Sequence, residues 1–79
     1  MLMFKETTRT TEQVLDFATH FFGLDGFGLS MSDRTRQGVA FVGEGGWICV
    51  SVGPGNRLRT VEVESRQWED PVSVFLYAV

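Results

Sequence analysis

The only histidine of the chain, His20, follows Asp16 by four residues. On a helix this spacing brings the two side chains together, and a carboxylate that orients an imidazole is half of a general acid–base arrangement. A nucleophile would still have to come from elsewhere in the fold. We therefore interpret the pair as an ordinary contact on a solvated helix face, and keep His20 and Asp16 as weak candidates.

Cys49 is the only cysteine, so no intramolecular disulfide can form, and a lone thiol fits a reducing compartment better than a secreted protein. A reactive thiol needs a cation or a helix N-terminus nearby to lower its pKa, whereas Cys49 follows the apolar Ile48. One cysteine and one histidine do not make the usual ligand set of structural zinc. We predict an inert thiol on a sheet face, no metal site and no cofactor.

Glu62 and Glu64 are two residues apart, so on a strand both point to the same face. Paired carboxylates perform acid–base chemistry or bind a cation, but on a strand they more often mark a solvated face. The glycine-rich segments 43–46 and 53–55 have the composition of phosphate loops, yet both lead into strands rather than helices. Because no catalytic set is complete, we keep Glu62 and Glu64 as weak candidates and predict a protein that is not an enzyme.

Trp47 is the most suggestive residue of the chain. In the apolar segment 47–52 it alternates with Ile48, so the two side chains lie on opposite faces of a strand. If a helix covers the Ile48 face, Trp47 and Cys49 lie on the open face, where an apolar patch with a tryptophan is typical of an interface. Two alternating residues of 39–42 must lie on the same face as Trp47 and Cys49, and the pattern permits either of two pairs. We take as interaction candidates Trp47, Cys49, Phe41 and Val39, the alternative phase being Ala40 with Val42.

The element most clearly encoded is a helix over residues 11–22. Thr10 is a good N-cap, and Gln13 follows at the spacing of a capping box. Apolar side chains then recur at helical spacing and predict one broad buried face, and Gly23 ends the helix as a C′ glycine. The apolar residues of that face are Val14, Leu15, Phe17, Ala18, Phe21 and Phe22.

Four extended segments follow the helix, each with the period of two that is typical of a strand. Short turns separate them, which predicts an antiparallel meander. In the first of the four, Phe27, Leu29 and Met31 form the buried side, and a polar turn over 33–37 follows. A weak alternation at the N-terminus predicts a further short strand. The predicted strands are residues 1–6, 27–32, 39–42, 47–52 and 58–67.

Residues 70–79 fit two structures. Asp70-Pro71 predicts an N-cap followed by proline at the first helical position, and Val72 and Phe75 recur at helical spacing. Alternating β-branched residues in the same segment also fit a strand. We favour the helix, which makes the fold α+β: a four- to five-stranded antiparallel meander sheet with an N-terminal and a C-terminal helix on one face.

The composition narrows the function classes. Seventy-nine residues make one small domain, 1–79, and a hydrophobic content of 43% supports a core and excludes a disordered chain. A net charge of −3 with scattered arginines disfavours nucleic-acid binding. No apolar run is long enough for a membrane span, and the first residues lack a signal-peptide pattern. We therefore predict a cytoplasmic protein.

The functional hypothesis is a non-enzymatic interaction module that self-associates, or binds an unknown protein partner, through the open sheet face. A domain this small buries a modest share of its surface, so a partner would add stability. The alternative is a small-molecule-binding domain with the ligand between helix and sheet, which the phenylalanine-rich helix motivates. The same phenylalanines also suffice to build a core.

Overall fold

Five strands form one antiparallel sheet in the computed structural model, which describes residues 1–79, and two helices pack on one side of it. The predicted α+β class, with a helix near each end of the chain, is confirmed. The elements in chain order are β1 (Leu2–Thr7), α1 (Thr11–Phe22), β2 (Ser30–Arg34), β3 (Gly38–Gly43), β4 (Gly46–Val52), β5 (Arg59–Arg66) and α2 (Glu69–Ala78).

The strands lie in the order β1-β5-β4-β3-β2 across the sheet. Strands β2 to β5 form the predicted meander, and the weakly predicted N-terminal strand exists as β1. It pairs with β5, from Leu2 opposite Glu64 to Thr7 opposite Arg59. Because β1 and β2 occupy opposite edges, α1 must carry the chain across the whole sheet, and it thereby covers one of its faces.

Helix α1 begins with the predicted capping box. The Thr10 hydroxyl accepts from the Gln13 backbone N–H at 3.1 Å, and the Gln13 side-chain oxygen accepts from the Thr10 N–H at 2.9 Å. The prediction for the end of this helix is wrong in its detail, because Gly23 has a φ of −76° rather than a left-handed conformation. Glycine is needed there because a Cβ would collide with the carbonyl oxygen of Thr19.

The core lies between the helices and the sheet face that they cover, which we call the covered face. Phe22 of α1 contacts Phe41 of β3 and Phe75 of α2, with ring centroids 5.7 and 5.1 Å apart, and all three side chains are fully buried. Val61 and Val63 of β5 point into the same core, as their alternation predicts. The two helices and strands β3, β4 and β5 therefore all contribute apolar side chains to this core.

The strand predicted at 27–32 is wrong in its position. Residue Leu29 is buried, but Phe27 and Met31 are 50% and 45% exposed, and the strand begins only at Ser30. The backbone N–H groups of Phe27 and Leu29 donate to the last turn of α1, so they are not available to pair with a neighbouring strand. Gly28, with a φ of +83°, also interrupts an extended conformation. The predicted turn at 33–37 is accordingly shorter.

Residues 70–79 lie almost wholly in helix α2, so the helix predicted there, rather than the alternative strand, is confirmed. It begins at Glu69 after Trp68, so the prediction of Asp70 as N-cap is wrong. The Trp68 carbonyl accepts the first intrahelical bond, from Val72 N–H at 3.0 Å. Pro71 is tolerated because it lies in the first turn, where a backbone N–H has no intrahelical acceptor.

Candidate functional site

The sheet face turned away from the helices, which we call the open face, is the candidate site. Residues directly opposite each other in antiparallel strands share a face, so the register of the strands defines its members, with one irregularity in β2 between Met31 and Asp33. They are Leu2, Phe4 and Glu6 of β1; Thr60, Glu62, Glu64 and Arg66 of β5; Trp47, Cys49 and Ser51 of β4; Ala40 and Val42 of β3; and Ser30 and Asp33 of β2.

Two predicted interaction residues, Val39 and Phe41, do not lie on this face. They oppose Val50 and Ile48 on the covered face, and they are 3% and 0% exposed. The prediction is wrong because alternation within β3 cannot fix its phase relative to β4. The aromatic contact of Phe41 with α1 gives its side chain a place in the core. The alternative pair, Ala40 and Val42, lies beside Cys49 and Trp47 instead.

Trp47 lies on the open face, as the sequence predicts. It stands in one row between Val42 of β3 and Arg66 of β5, and its side chain is half-buried. With Met1 and Glu69 it lines a shallow cleft of about 480 Å³ at one end of the sheet. The side chain is therefore partly exposed, in a cleft that a partner could enter.

Strand β1 adds a second apolar group that the sequence analysis missed. Leu2 and Phe4 are 50% and 59% exposed and lie on the open face opposite Glu64 and Glu62. Their two-residue spacing indicates a common face, but the side of the sheet on which it lies depends on the pairing of β1 with β5. The open face thus has two apolar strips, one on β1 and one on β4 and β3, with β5 between them.

The strand between the apolar strips presents four polar side chains on this face, of which two are carboxylates. Glu62 and Glu64 lie there as the sequence predicts, and neither forms a salt bridge. Glu6 and Asp33 add carboxylates at the two edges, whereas Arg66 is the only cation of the face. The open face consequently carries more than its share of the negative charge of the chain.

Cys49 lies between these carboxylates. Burial raises the pKa of its thiol, and the negative charges of Glu64 and Asp33 raise that pKa further. A raised pKa keeps the thiol protonated at neutral pH, whereas a nucleophilic cysteine needs a lowered one. The surroundings of Cys49 therefore favour a role in packing or binding over chemistry.

Asp16 and His20 form no hydrogen bond or salt bridge with each other, although their spacing would permit one. The Asp16 carboxylate accepts from the Arg34 guanidinium of β2 at 3.3 Å, and His20 Nδ1 lies 3.4 Å from the Asp25 carboxylate. The His20 and Asp25 side chains are 74% and 80% exposed. Since α1 lies on the covered side, Cys49 on the open face is separated from both residues by the sheet.

Comparison with protein-family models gives no match, and comparison with curated proteins gives none either. No group of three or more histidine, cysteine or acidic side chains is gathered closely enough to hold a metal ion. Neither helix has the length and apolarity needed to cross a membrane. The open face and the surface around it are therefore the features of the molecule from which a function can be inferred.

Proposed function

We propose that this protein is a non-enzymatic interaction module whose open face binds a protein partner rich in both basic and apolar side chains. The observation that carries the proposal is the pattern of that face, two exposed apolar strips with a row of carboxylates between them. An interface of this kind buries its apolar groups and pairs its charges with those of the partner.

The apolar strips are not needed by the fold. Phe4, Leu2 and Val42 lie on the side of the sheet that no helix covers, and each is more than two-fifths exposed. Val42 lies beside Trp47, and exposed apolar side chains around a tryptophan are typical of a binding surface, where Trp provides much of the binding energy. Partner binding would remove these side chains from water without rearranging the core.

The charge of the open face favours a different protein over a second copy. Stacking two open faces would oppose Glu62 and Glu64 of one copy to carboxylates of the other, which is unfavourable at an interface. A basic partner would instead neutralise them. The single free thiol is compatible with a reducing compartment, so the partner is to be sought among cytoplasmic proteins.

A peptide that alternates lysine with leucine tests the proposal, because in an extended conformation it presents one basic and one apolar face. We expect its titration into the ¹⁵N-labelled chain to shift amides of β1, β4 and β5. The double variant Glu62→Gln/Glu64→Gln should weaken binding by roughly three- to tenfold, as expected for the loss of exposed charge pairs. Trp47→Ala should weaken binding further.

The matched control is Glu12→Gln/Asp70→Asn, which removes the same charge from the two helices. Equal weakening by both double variants would mean that only net charge matters, and shifts confined to the helices would place the contact elsewhere; either result overturns the proposal. Sedimentation velocity at micromolar concentration tests the self-association version. A dimer dissociated by Trp47→Ala would replace the heterologous partner with a second copy.

A small-molecule site is the second candidate, and one cleft supports it. The space between helices and sheet is filled by buried phenylalanines, but a cleft of about 420 Å³ opens at its edge, between the end of α1 and β2. Leu24, Leu29 and Met31 line its apolar part. A fragment screen by NMR that shifts these residues, and not those of the open face, would favour this function.

A further inference from the structure

A second surface of the molecule has the opposite charge. Where the start of α1, the β2–β3 turn and the start of β5 meet, a cleft of about 630 Å³ is lined by Arg34, Arg36 and Arg59. Glu12 is the only carboxylate in its wall, and Leu15 its only hydrophobic residue. The cleft lies beside α1, so it is distinct from the open face and independent of the function proposed for that face.

Carboxylate partners do not account for all three of these arginines. Only Arg34 forms a salt bridge, with Asp16. Arg59 donates to the Arg9 carbonyl at 3.2 Å, and Arg36 has no side-chain hydrogen bond or salt bridge at all. Like charges that share a cleft repel one another. In a chain with a net charge of −3, this local excess of cations is a property of the fold, not of the composition.

The cleft also offers uncharged donors. The hydroxyl groups of Thr11 and Thr35 belong to residues of its wall, and hydroxyls commonly complete the coordination of an oxyanion. The N-terminus of α1 contributes less, because the capping box already uses the N–H groups of Thr10 and Gln13. The guanidinium groups are therefore the main determinant of what this cleft can bind.

We propose that this cleft binds a small phosphate-bearing molecule. Guanidinium groups pair with phosphate oxygens through two parallel hydrogen bonds, and several of them together neutralise a multiply charged group. The volume is in the range of small-molecule sites and too large for a single inorganic ion alone. The nearly complete absence of apolar lining fits a polar ligand, and the acidic surface elsewhere disfavours a long polyanion.

Pyrophosphate is a suitable probe, titrated into the ¹⁵N-labelled full chain at low ionic strength. We expect saturable shifts of the backbone amides of Thr11 and residues 35–37, together with the side-chain Nε–H groups of Arg36 and Arg59. Arg36→Gln should weaken binding by roughly three- to tenfold, the range for losing a charge-assisted contact at a solvated site. Arg36 lies in an exposed turn, so this variant should keep the circular dichroism of the parent.

The matched control is Arg57→Gln, which removes the same charge from a loop outside the cleft, and it should bind pyrophosphate as the parent does. Equal weakening by both variants, or shifts that increase linearly without saturation, would show a non-specific charge effect and overturn the proposal. If a single-stranded RNA oligomer shifts the same residues at more than about tenfold lower concentration, extended nucleic acid replaces the small molecule as the ligand.

Discussion

The two faces of the sheet are built from the same strands and differ in what covers them. In β4, Ile48 and Val50 are 0% and 1% exposed beneath the helices, while Trp47 and Cys49 alternate with them on the open face. The covered face is needed for folding, since it provides most of the core. The open face contributes little to the core, and its apolar strips stay exposed, as the proposed binding role requires.

The basic cleft extends this comparison to charge. Acidic side chains collect on the open face and arginines collect beside α1, although the sequence distributes both types along the whole chain. A molecule with such separated charge offers different surfaces to a basic protein and to an anion. Removing a single side chain from the covered face should therefore change the free energy of unfolding much more than removing one from the open face.

The largest expected effect comes from adjacent residues of β3 that point to opposite faces. Phe41→Ala should lower the free energy of unfolding by about 3–5 kcal/mol, because it removes a fully buried ring that packs on α1. Val42→Ala, on the open face, should cost less than about 1 kcal/mol. Urea denaturation followed by tryptophan fluorescence measures both.

Loss of that much free energy would leave a domain of this size largely unfolded, so a milder pair completes the test. Ile48→Val, also on the covered face, should cost about 0.5–1.5 kcal/mol. Comparable costs for Val42→Ala and Ile48→Val, with Phe41→Ala no worse, would contradict the division of the sheet into a structural face and a binding face.

Substitutions at the two tryptophans should have an intermediate effect on the free energy of unfolding. Trp68 lies on the covered side, where its indole N–H donates to the Gly43 carbonyl at 3.1 Å and connects α2 to the β3–β4 hairpin. Trp68→Phe should cost about 1–2 kcal/mol, because a part-buried acceptor loses its donor. Trp47→Phe should cost no more than about 0.5 kcal/mol. Chemical denaturation followed by circular dichroism distinguishes them, and the reverse order would be inconsistent with Trp47 as a binding residue.

The smallest expected effect concerns Cys49. Because its pKa is raised on folding, the folded chain keeps a proton that the unfolded chain loses. The free energy of unfolding should therefore be unaffected in acid and fall as the pH rises through the pKa of a free thiol towards that of the folded protein.

Glu64→Gln removes one of the charges that raise this pKa, and it should speed iodoacetamide alkylation of the native protein by about twofold near pH 8. Glu12→Gln, on the far side of the sheet, should leave the rate unchanged. Identical rates for Glu64→Gln and the parent would mean that the charge of Glu64 does not contribute to the raised pKa of the thiol.

Elements that depend on near neighbours in the chain could be predicted well. The helix at 11–22 has its cap, its acidic first turn and its apolar face within a few residues, and the structure reproduces its bounds. The strand and hairpin around 43–46 follow from alternation and from glycine at a turn where Glu44 and Gly45 both have positive φ. The helix at 70–79 is less clearly encoded, because the periodicities of a helix and of a strand both occur in that segment.

The errors in the candidate site share one cause. Val39 and Phe41 alternate correctly with their neighbours, but alternation gives no information on which face of the sheet each phase occupies. The spacing of Asp16 and His20 permits a contact, yet Arg34 and Asp25 provide competing partners that are distant along the chain or beyond the helix end. Leu2 and Phe4 were missed because the position of β1 beside β5 depends on pairing between the two ends of the chain.

By itself, the sequence determined the type and approximate extent of most elements, because caps, turns and periodicities are interactions between residues a few positions apart. Only the tertiary structure decided the phase of β3 against β4, the apolar strips of the open face and the meeting of Arg34, Arg36 and Arg59. Those features depend on strand register and on the crossing of α1 over the sheet. Both are selected by burial of the whole core, which no local pattern encodes.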